Sequence, residues 1–358
     1  MIAGEALIDA FINANILFFI GYALWLLVRT IMNRAGLRHA YAVQLKLLNA
    51  VFLTIICAPF IALGFSTMQS SGVARGVNVN LSDMVVSYYL NGGLHMKASD
   101  FEALILSRDA LTINILNADG IVAQAVIAAF LVGLAIGFFQ LFVSMTCLHR
   151  IVSHSYAWRR HGRIRLRLSD RTLVPFSTRG LRNYYVVIPS HMLSESTELK
   201  VALAHEFQHI RQGDLEWEVL LEALKPFFFL NPAYRAWKQK VEHLRELNCD
   251  SRVLSNGRID VRSYCETLLS VCQKTLRRDR DFVLAVPKVT LVTADRSSLV
   301  EGKRSFLESR IVSAIEAVQP RNQRLVFLTI VLPLLAAIAF TTVAIQSPGD
   351  CSHDRLML

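Results

Sequence analysis

Charge is scarce in this chain. Asp, Glu, Lys and Arg make up 18% of 358 residues, against roughly 25% in an ordinary soluble domain. Cysteine carries no framework either. The six thiols, at positions 57, 147, 249, 265, 272 and 351, form no CxxC pair and no regular spacing, which argues against a disulfide scaffold. No basic segment precedes the first apolar run, where Glu5 and Asp9 stand instead, and no small-residue cleavage site follows it. That run is therefore not read as a signal peptide. Internal repeats and low-complexity tracts are also absent.

What the chain has in abundance is apolar length. Hydrophobic residues reach 53%, and four runs contain no Asp, Glu, Lys or Arg: Ala10–Val28, Leu47–Phe65, Gly120–Leu148 and Leu325–Ile345. Each approaches the roughly 20 residues of helix that cross a bilayer. Basic residues set the expected orientation. The loop after the first run carries Arg29, Arg34, Arg38 and Lys46 with no acid, and residues 148–324 hold 30 basic against 19 acidic side chains. One side of the membrane thus sums to +15 and the other to −5, within a total of +10. The positive-inside rule places 148–324 in the cytoplasm and both termini outside. Topology and anionic lipid account for the basic excess, so no direct role with nucleic acid is expected.

The expected fold is a mainly α membrane protein with four transmembrane helices, and an α+β domain inserted between the third and fourth. The boundaries are 1–66 for two spans and a short basic loop, 67–119 for an external loop, and 120–148 for the third span. Residues 149–324 form the cytoplasmic domain, 325–346 the fourth span and 347–358 an external tail. Within the domain, Arg163–Leu168 and Tyr184–Ile188 read as strands, parted by turns at Pro175 and Gly180. Ser194–Arg211 reads as a helix stopped by Gly213. Leu215–Leu230, cut by Pro226 and carrying Phe227-Phe228-Phe229, is either a helix on the membrane surface or plain core. Asn231 caps a helix from Pro232 to Asn256, and another runs from Val261 to Leu276. The external loop ends in an amphipathic part, Phe101–Leu116, and Phe282–Pro287 looks extended.

His205-Glu206-Phe207-Gln208-His209 carries the chemistry. HExxH on a helix puts two imidazoles one turn apart on one face, where both reach one Zn²⁺ ion. The Glu after the first His then stands beside the metal and can take a proton from water. A second cluster, Glu246-Leu247-Asn248-Cys249-Asp250, lies on the later helix, with Glu246 and Asp250 sharing a face. Catalytic zinc commonly takes two His and one Glu. Glu246 is accordingly the expected third ligand, and Asp250 the carboxylate that accepts a ligand imidazole's N–H. Cys249 is expected to point away from that face as a small buried thiol. His243, Tyr234, Arg245 and Tyr264 are candidate oxyanion donors, with core packing or surface placement the competing reading for each.

His205 through Asp214 together with Arg245-Glu246-Leu247-Asn248-Cys249-Asp250 resemble the BlaR/MecR type of membrane metallopeptidase in antibiotic-responsive signalling. Val174-Pro175-Phe176, Val187-Ile188-Pro189 and Tyr264–Leu269 add less specific likeness. The resemblance extends from residue 1 to about 346. It implies three spans, a cytoplasmic gluzincin-like zinc peptidase domain and a fourth span. It also implies His205, His209 and Glu246 as ligands, Glu206 as base, and a repressor-like cytoplasmic protein, or the chain itself, as substrate. The strand Tyr184, Tyr185, Val186, Val187 and Ile188 is expected to pair with an extended substrate. Antibiotic-sensing members continue into a penicillin-binding domain. Here 13 residues, Gln346–Leu358, follow the fourth run. Covalent β-lactam sensing is therefore not expected, and an external signal would enter through 67–119, the bilayer or a periplasmic or membrane partner. Two other readings share some of these features: a quality-control membrane protease of the HtpX type, and a non-catalytic membrane receptor. The intact Glu206 and ligands oppose the second. The sequence assigns no oligomeric state.

Overall fold

The computed structural model describes residues 3–61, 68, 120–277, 289–290, 306–316 and 323–344. The expectations about the external loop beyond Met68, the stretch 282–287 and the tail 347–358 lie outside the described residues.

Among the described residues, two of the four apolar runs form helices long and apolar enough to cross a membrane, α1 (Ala3–Arg34) and, after α2 (Tyr41–Ile56), α3 (Gly120–Ser153). The most apolar stretch of α3 packs almost nothing into the protein interior. Ile121, Val122, Phe139 and Phe142 all stand exposed. Apolar surface of that extent is unstable in water and suits hydrocarbon. Helix α2 starts before the run expected for it and is interrupted at Cys57. Gly36, at φ +74°, makes the turn between α1 and α2.

A small sheet follows: β1 (Tyr156–His161), β2 (Ile164–Ser169), β3 (Phe176–Arg179) and β4 (Tyr184–Pro189). A 3₁₀ turn at Ser190–Ser194 leads into helices α4 (Ser196–Gln212), α5 (Asp214–Leu224), α6 (Pro232–Ser255) and α7 (Val261–Arg277). Then come β5 (Val289–Thr290), α8 (Phe306–Ile315) and α9 (Gln323–Ala344). The sheet order is β1-β2-β4-β3-β5. Strand β4 is its centre. It pairs parallel with β2, Leu166 opposite Val186, and antiparallel with β3, Phe176 opposite Val187. Its unbroken apolar run follows from burial on both faces. Val186 and Ile188 pack under Val201 and Ala202 of α4, while Val187 and Phe176 meet Leu148, Ile151 and Val152 at the end of α3.

This arrangement corrects the expectation that Tyr184–Ile188 offers an edge to substrate. Both edges of β4 are already hydrogen-bonded, so no further strand can join it. The edge nearer the site belongs to β3, where Phe176 and Ser177 pair with Thr290 and Val289 of the same chain.

Helix α6 joins two cores. Asn231 caps it as expected, accepting from the backbone N–H groups of Ala233 at 3.0 Å and Tyr234 at 3.2 Å, with Pro232 in the first turn. In its first half Tyr234, Trp237, Val241 and Leu244 pack among Leu17, Phe18 and Trp25 of α1, Leu48, Val51 and Phe52 of α2, and Leu334 and Ile338 of α9. In its second half Cys249 and Val253 join the core between α4 and the sheet.

The connection between α5 and α6 carries the triple phenylalanine, of which Phe228 is buried and Phe227 exposed. It packs on the apolar helices. Phe228 contacts Phe11 and Phe18, Phe227 contacts Phe138, and Phe229 contacts Phe130. Gly133 and Gly137 on α3 leave the space for it, since a Cβ at Gly133 would meet the Phe229 ring at 2.3 Å and one at Gly137 would meet Pro226 at 3.0 Å. Gly133→Ala is expected to destabilise the protein by about 1–3 kcal/mol through overpacking. Thermal unfolding in detergent checks this, and an unchanged Tm would show that Phe229 moves aside freely.

Candidate metal centre

Helix α4 brings the two motif histidines to one buried point. Val201, Ala202 and the sheet fix one face of the helix, and Glu198 in its first turn accepts from Ser270 at 2.6 Å and pairs with Lys274 at 2.8 Å. Gly213 ends it at φ +74°, a left-handed conformation that suits glycine. That turn returns the chain so that Asp214 Oδ2 lies 2.7 Å from His209 Nδ1.

His205, Glu206 and His209 are fully buried. The Nε2 atoms of the two histidines face each other at 3.0 Å, and Glu246 meets both, its Oε2 3.3 Å from His205 Nε2 and its Oε1 3.5 Å from His209 Nε2. Tetrahedral ligands at about 2.0–2.1 Å from zinc stand roughly 3.3 Å apart. The two imidazoles and the Glu246 carboxylate therefore already hold the spacing that such an ion requires.

The opposite ring nitrogens are held by acceptors and hydroxyls. His205 Nδ1 lies 2.9 Å from the Tyr264 hydroxyl, which donates to Asp250 Oδ1 at 2.5 Å, and 3.4 Å from Asp250 Oδ1 itself. Asp250 thus lies behind His205, with Tyr264 bridging part of the distance. Asp214 does the same for His209. It belongs to the quoted motif, yet sequence reasoning gave it no role; the only signal was an acid directly after the helix-ending glycine.

Cys249 corrects another expectation. Its sulfur does not turn away but lies 3.5 Å from His205 Nδ1 and 3.4 Å from the His205 carbonyl. Residues three apart on a helix are neighbours on one face, so Cys249 falls between Glu246 and Asp250. His205, His209 and Cys249 offer ligand atoms within 4.8 Å of one another, which makes the thiol a geometric rival to Glu246. The sulfur lies near both imidazoles, 3.5 Å from His205 Nδ1, whereas the Glu246 carboxylate meets both converging Nε2 atoms.

The remaining oxyanion candidates lie elsewhere. Tyr234 donates to the Leu221 carbonyl, Arg245 pairs with Glu218 at 2.5 Å, and His243 stacks on Phe306 at 4.3 Å. Arg310 on α8, 1% exposed, was not anticipated from sequence. It binds Asp250 through Nε at 2.7 Å and Nη2 at 2.6 Å, and approaches Glu246 with Nη1 at 3.2 Å.

Electrostatics follow this geometry. Burial opposes ionisation of Asp250 and Glu246, but Arg310 and His205 outweigh it for the first, and His209 and Arg310 for the second; both carboxyls sit below their ordinary range. Burial also opposes the charge on His209, yet Cys249, Glu246 and Asp214 hold its pKa up to about 10. Glu206 moves the other way. Burial pushes its pKa up; His209, His205 and then Ser177 of β3 offset part of this, although neither Glu206 nor Ser177 makes a well-formed hydrogen bond. Both Glu206 oxygens are buried and, among the described residues, have no hydrogen-bond partner. A carboxylate left so is set up to receive a proton.

Residues 9–291 match the family model described as BlaR1 peptidase M56. The chain belongs to this family. A relative in Staphylococcus aureus, the regulatory protein BlaR1, is 25% identical over 177 residues, 48% of this chain. That match spans 28% of the relative's length. The M56 match takes in α1 through β5 and so contains His205, Glu206, His209, Glu246 and Asp250. Arg310 lies beyond it.

Asp214→Asn is expected to weaken zinc affinity by roughly 10–100-fold, because a neutral amide replaces the anionic acceptor that orients the imidazole. Chelator competition checks this, and wild-type affinity would show that Asp214 is only a helix-start residue.

Proposed function

We propose that this chain is a membrane-embedded, zinc-dependent endopeptidase of signal transduction that hydrolyses a cytoplasmic, repressor-like protein. The observation that carries the reading is the convergence of His205 Nε2, His209 Nε2 and the Glu246 carboxylate beside a buried, unpartnered Glu206. His205, His209 and Glu246 would hold the metal. Zinc, when bound, supplies Lewis-acid chemistry that makes water a nucleophile near neutral pH. Glu206 takes a proton from the attacking water, the water oxygen bonds to the scissile carbonyl carbon, the C–N bond breaks, and Glu206 returns the proton to the departing amine. Asp250, Tyr264 and Asp214 keep the two imidazoles in register throughout.

In this reading the site faces the cytoplasm of a bacterium, four helices span the inner membrane, and both termini lie outside. The external loop 67–119 is where a periplasmic or membrane partner would act. Basic residues around the inward side support that orientation.

A second substrate is favoured by a specific contact. Val289 and Thr290 occupy the outer edge of β3, whose Ser177 lies beside Glu206, so a stretch of this chain already runs where an extended substrate would. Cleavage of the chain itself is therefore included in the proposal. Mapping new N-termini in cells carrying the wild-type or the Glu206→Gln form tests both. Termini unique to the wild type, in a cytoplasmic protein or between residues 278 and 305, are the expected result. Identical maps would overturn the reading.

A further inference from the structure

We propose that Arg310 is a positioning residue of the peptidase, setting the carboxylates of Glu246 and Asp250 from a helix outside the family's matched region. This rests on the zinc reading given above, because positioning has meaning only if Glu246 is a ligand.

The geometry is that of a clasp. A guanidinium presents its N–H groups in a rigid planar fork that matches a carboxylate on two points. Arg310 uses Nε and Nη2 on the two oxygens of Asp250, at 2.7 and 2.6 Å, and brings Nη1 to 3.2 Å from Glu246 Oε2. The second contact is an ion pair without hydrogen-bond alignment. Held at Oε2, the Glu246 carboxylate keeps Oε1 turned to His209 Nε2. One side chain thereby fixes both the third ligand and the carboxylate behind His205.

The clasp is carried by α8, which reaches the site through its own contacts. Phe306 stacks on His243 of α6, and Ser313 accepts from the Tyr41 hydroxyl at 2.8 Å at the start of α2. Arg310 cannot be explained as surface charge, since it is 1% exposed, and burying a guanidinium is costly without close partners.

Two roles predict opposite results. If Arg310 only neutralised the acids around the site, its loss would leave zinc affinity unchanged or make it tighter, because a cation near the metal has gone. If it positions Glu246 and Asp250, its loss weakens zinc despite the gained negative charge. The experiment is chelator competition for zinc on the full chain in detergent, for wild type, Arg310→Met and Arg310→Lys, with thermal unfolding of each zinc-free form.

Arg310→Met is expected to weaken zinc by about tenfold or more, within the 10–100-fold typical of residues behind a metal ligand. Arg310→Lys, which keeps charge but not the fork, should fall between the two. Asp250→Ala combined with Arg310→Met should weaken zinc by less than the product of the two single effects, since part of what Arg310 does passes through Asp250 and the rest through Glu246. Zinc affinity within threefold of wild type, or tighter, in Arg310→Met overturns the positioning role. So does equal loss in Met and Lys forms that both fail to unfold cooperatively, which would mark a purely structural residue. A wild-type chain without stoichiometric zinc would instead remove the zinc reading itself, and the positioning role with it.

Discussion

In the Glu206→Gln variant, zinc should remain bound while peptide hydrolysis falls by at least about 10²-fold. The amide matches the carboxylate in size, so the surrounding packing is preserved, but it cannot accept a proton at neutral pH. The structure sharpens this expectation in two ways. Both Glu206 oxygens are buried and unpartnered, so the change breaks no existing hydrogen bond and should leave folding intact. Burial also raises the carboxyl's pKa, moving it toward the working pH where a base both takes and returns a proton efficiently. Metal analysis and the appearance of new N-termini, measured on the same membranes, check the two halves separately. Turnover at the wild-type rate would sink the assignment of the base. Zinc lost together with activity would mean instead that Glu206 belongs to the ligand set.

Replacing both His205 and His209 by Ala should reduce zinc from one per chain to background. In the proposed site the two Nε2 atoms supply two of the three converging ligand positions, and neither Glu246 nor Cys249 alone would hold the ion. The same assay decides between Glu246 and Cys249 as third ligand. The carboxylate meets both Nε2 atoms at 3.3 and 3.5 Å, while the thiol lies 3.5 Å from His205 Nδ1, so Glu246→Gln should lose zinc and Cys249→Ser should keep it. The opposite pattern would assign the thiol to the metal. Affinity should also rise with pH across the neutral range. Without metal, His209 holds its proton up to about 10, and that proton must leave before the nitrogen can bind zinc. Stoichiometric zinc in the double variant would refute the site outright.

The parts of this protein that were legible in its sequence are those governed by short-range rules. HExxH needs only the helical repeat, and Gly213 and Asn231-Pro232 mark helix ends within one turn of themselves. Glu246 and Asp250 share a face for the same reason. Contacts between distant segments were not legible. Arg310 meets Asp250 across 60 residues, and Tyr264 meets His205 across 59, with no local pattern that pairs them. Strand β4 shows the limit in another form. Its aromatic and β-branched content marks a strand, but nothing in it says whether its neighbours come from the substrate or, as here, from β2 and β3. Cys249 was misplaced for a simpler reason, because three residues along a helix is a small angular step.

Helix α6 has a consequence for how this protein comes apart. Its first half belongs to the core shared with α1, α2 and α9, and its second half to the core under the sheet, with Glu246 between them. A rod that is common property of two cores cannot melt in one and persist in the other, so the two should unfold in a single cooperative transition. By the same logic the catalytic half has no natural cutting point. A fragment starting at residue 149 would turn Tyr234, Trp237, Val241 and Leu244 out into water as a bare apolar stripe, and would gather into aggregates before it could display any chemistry.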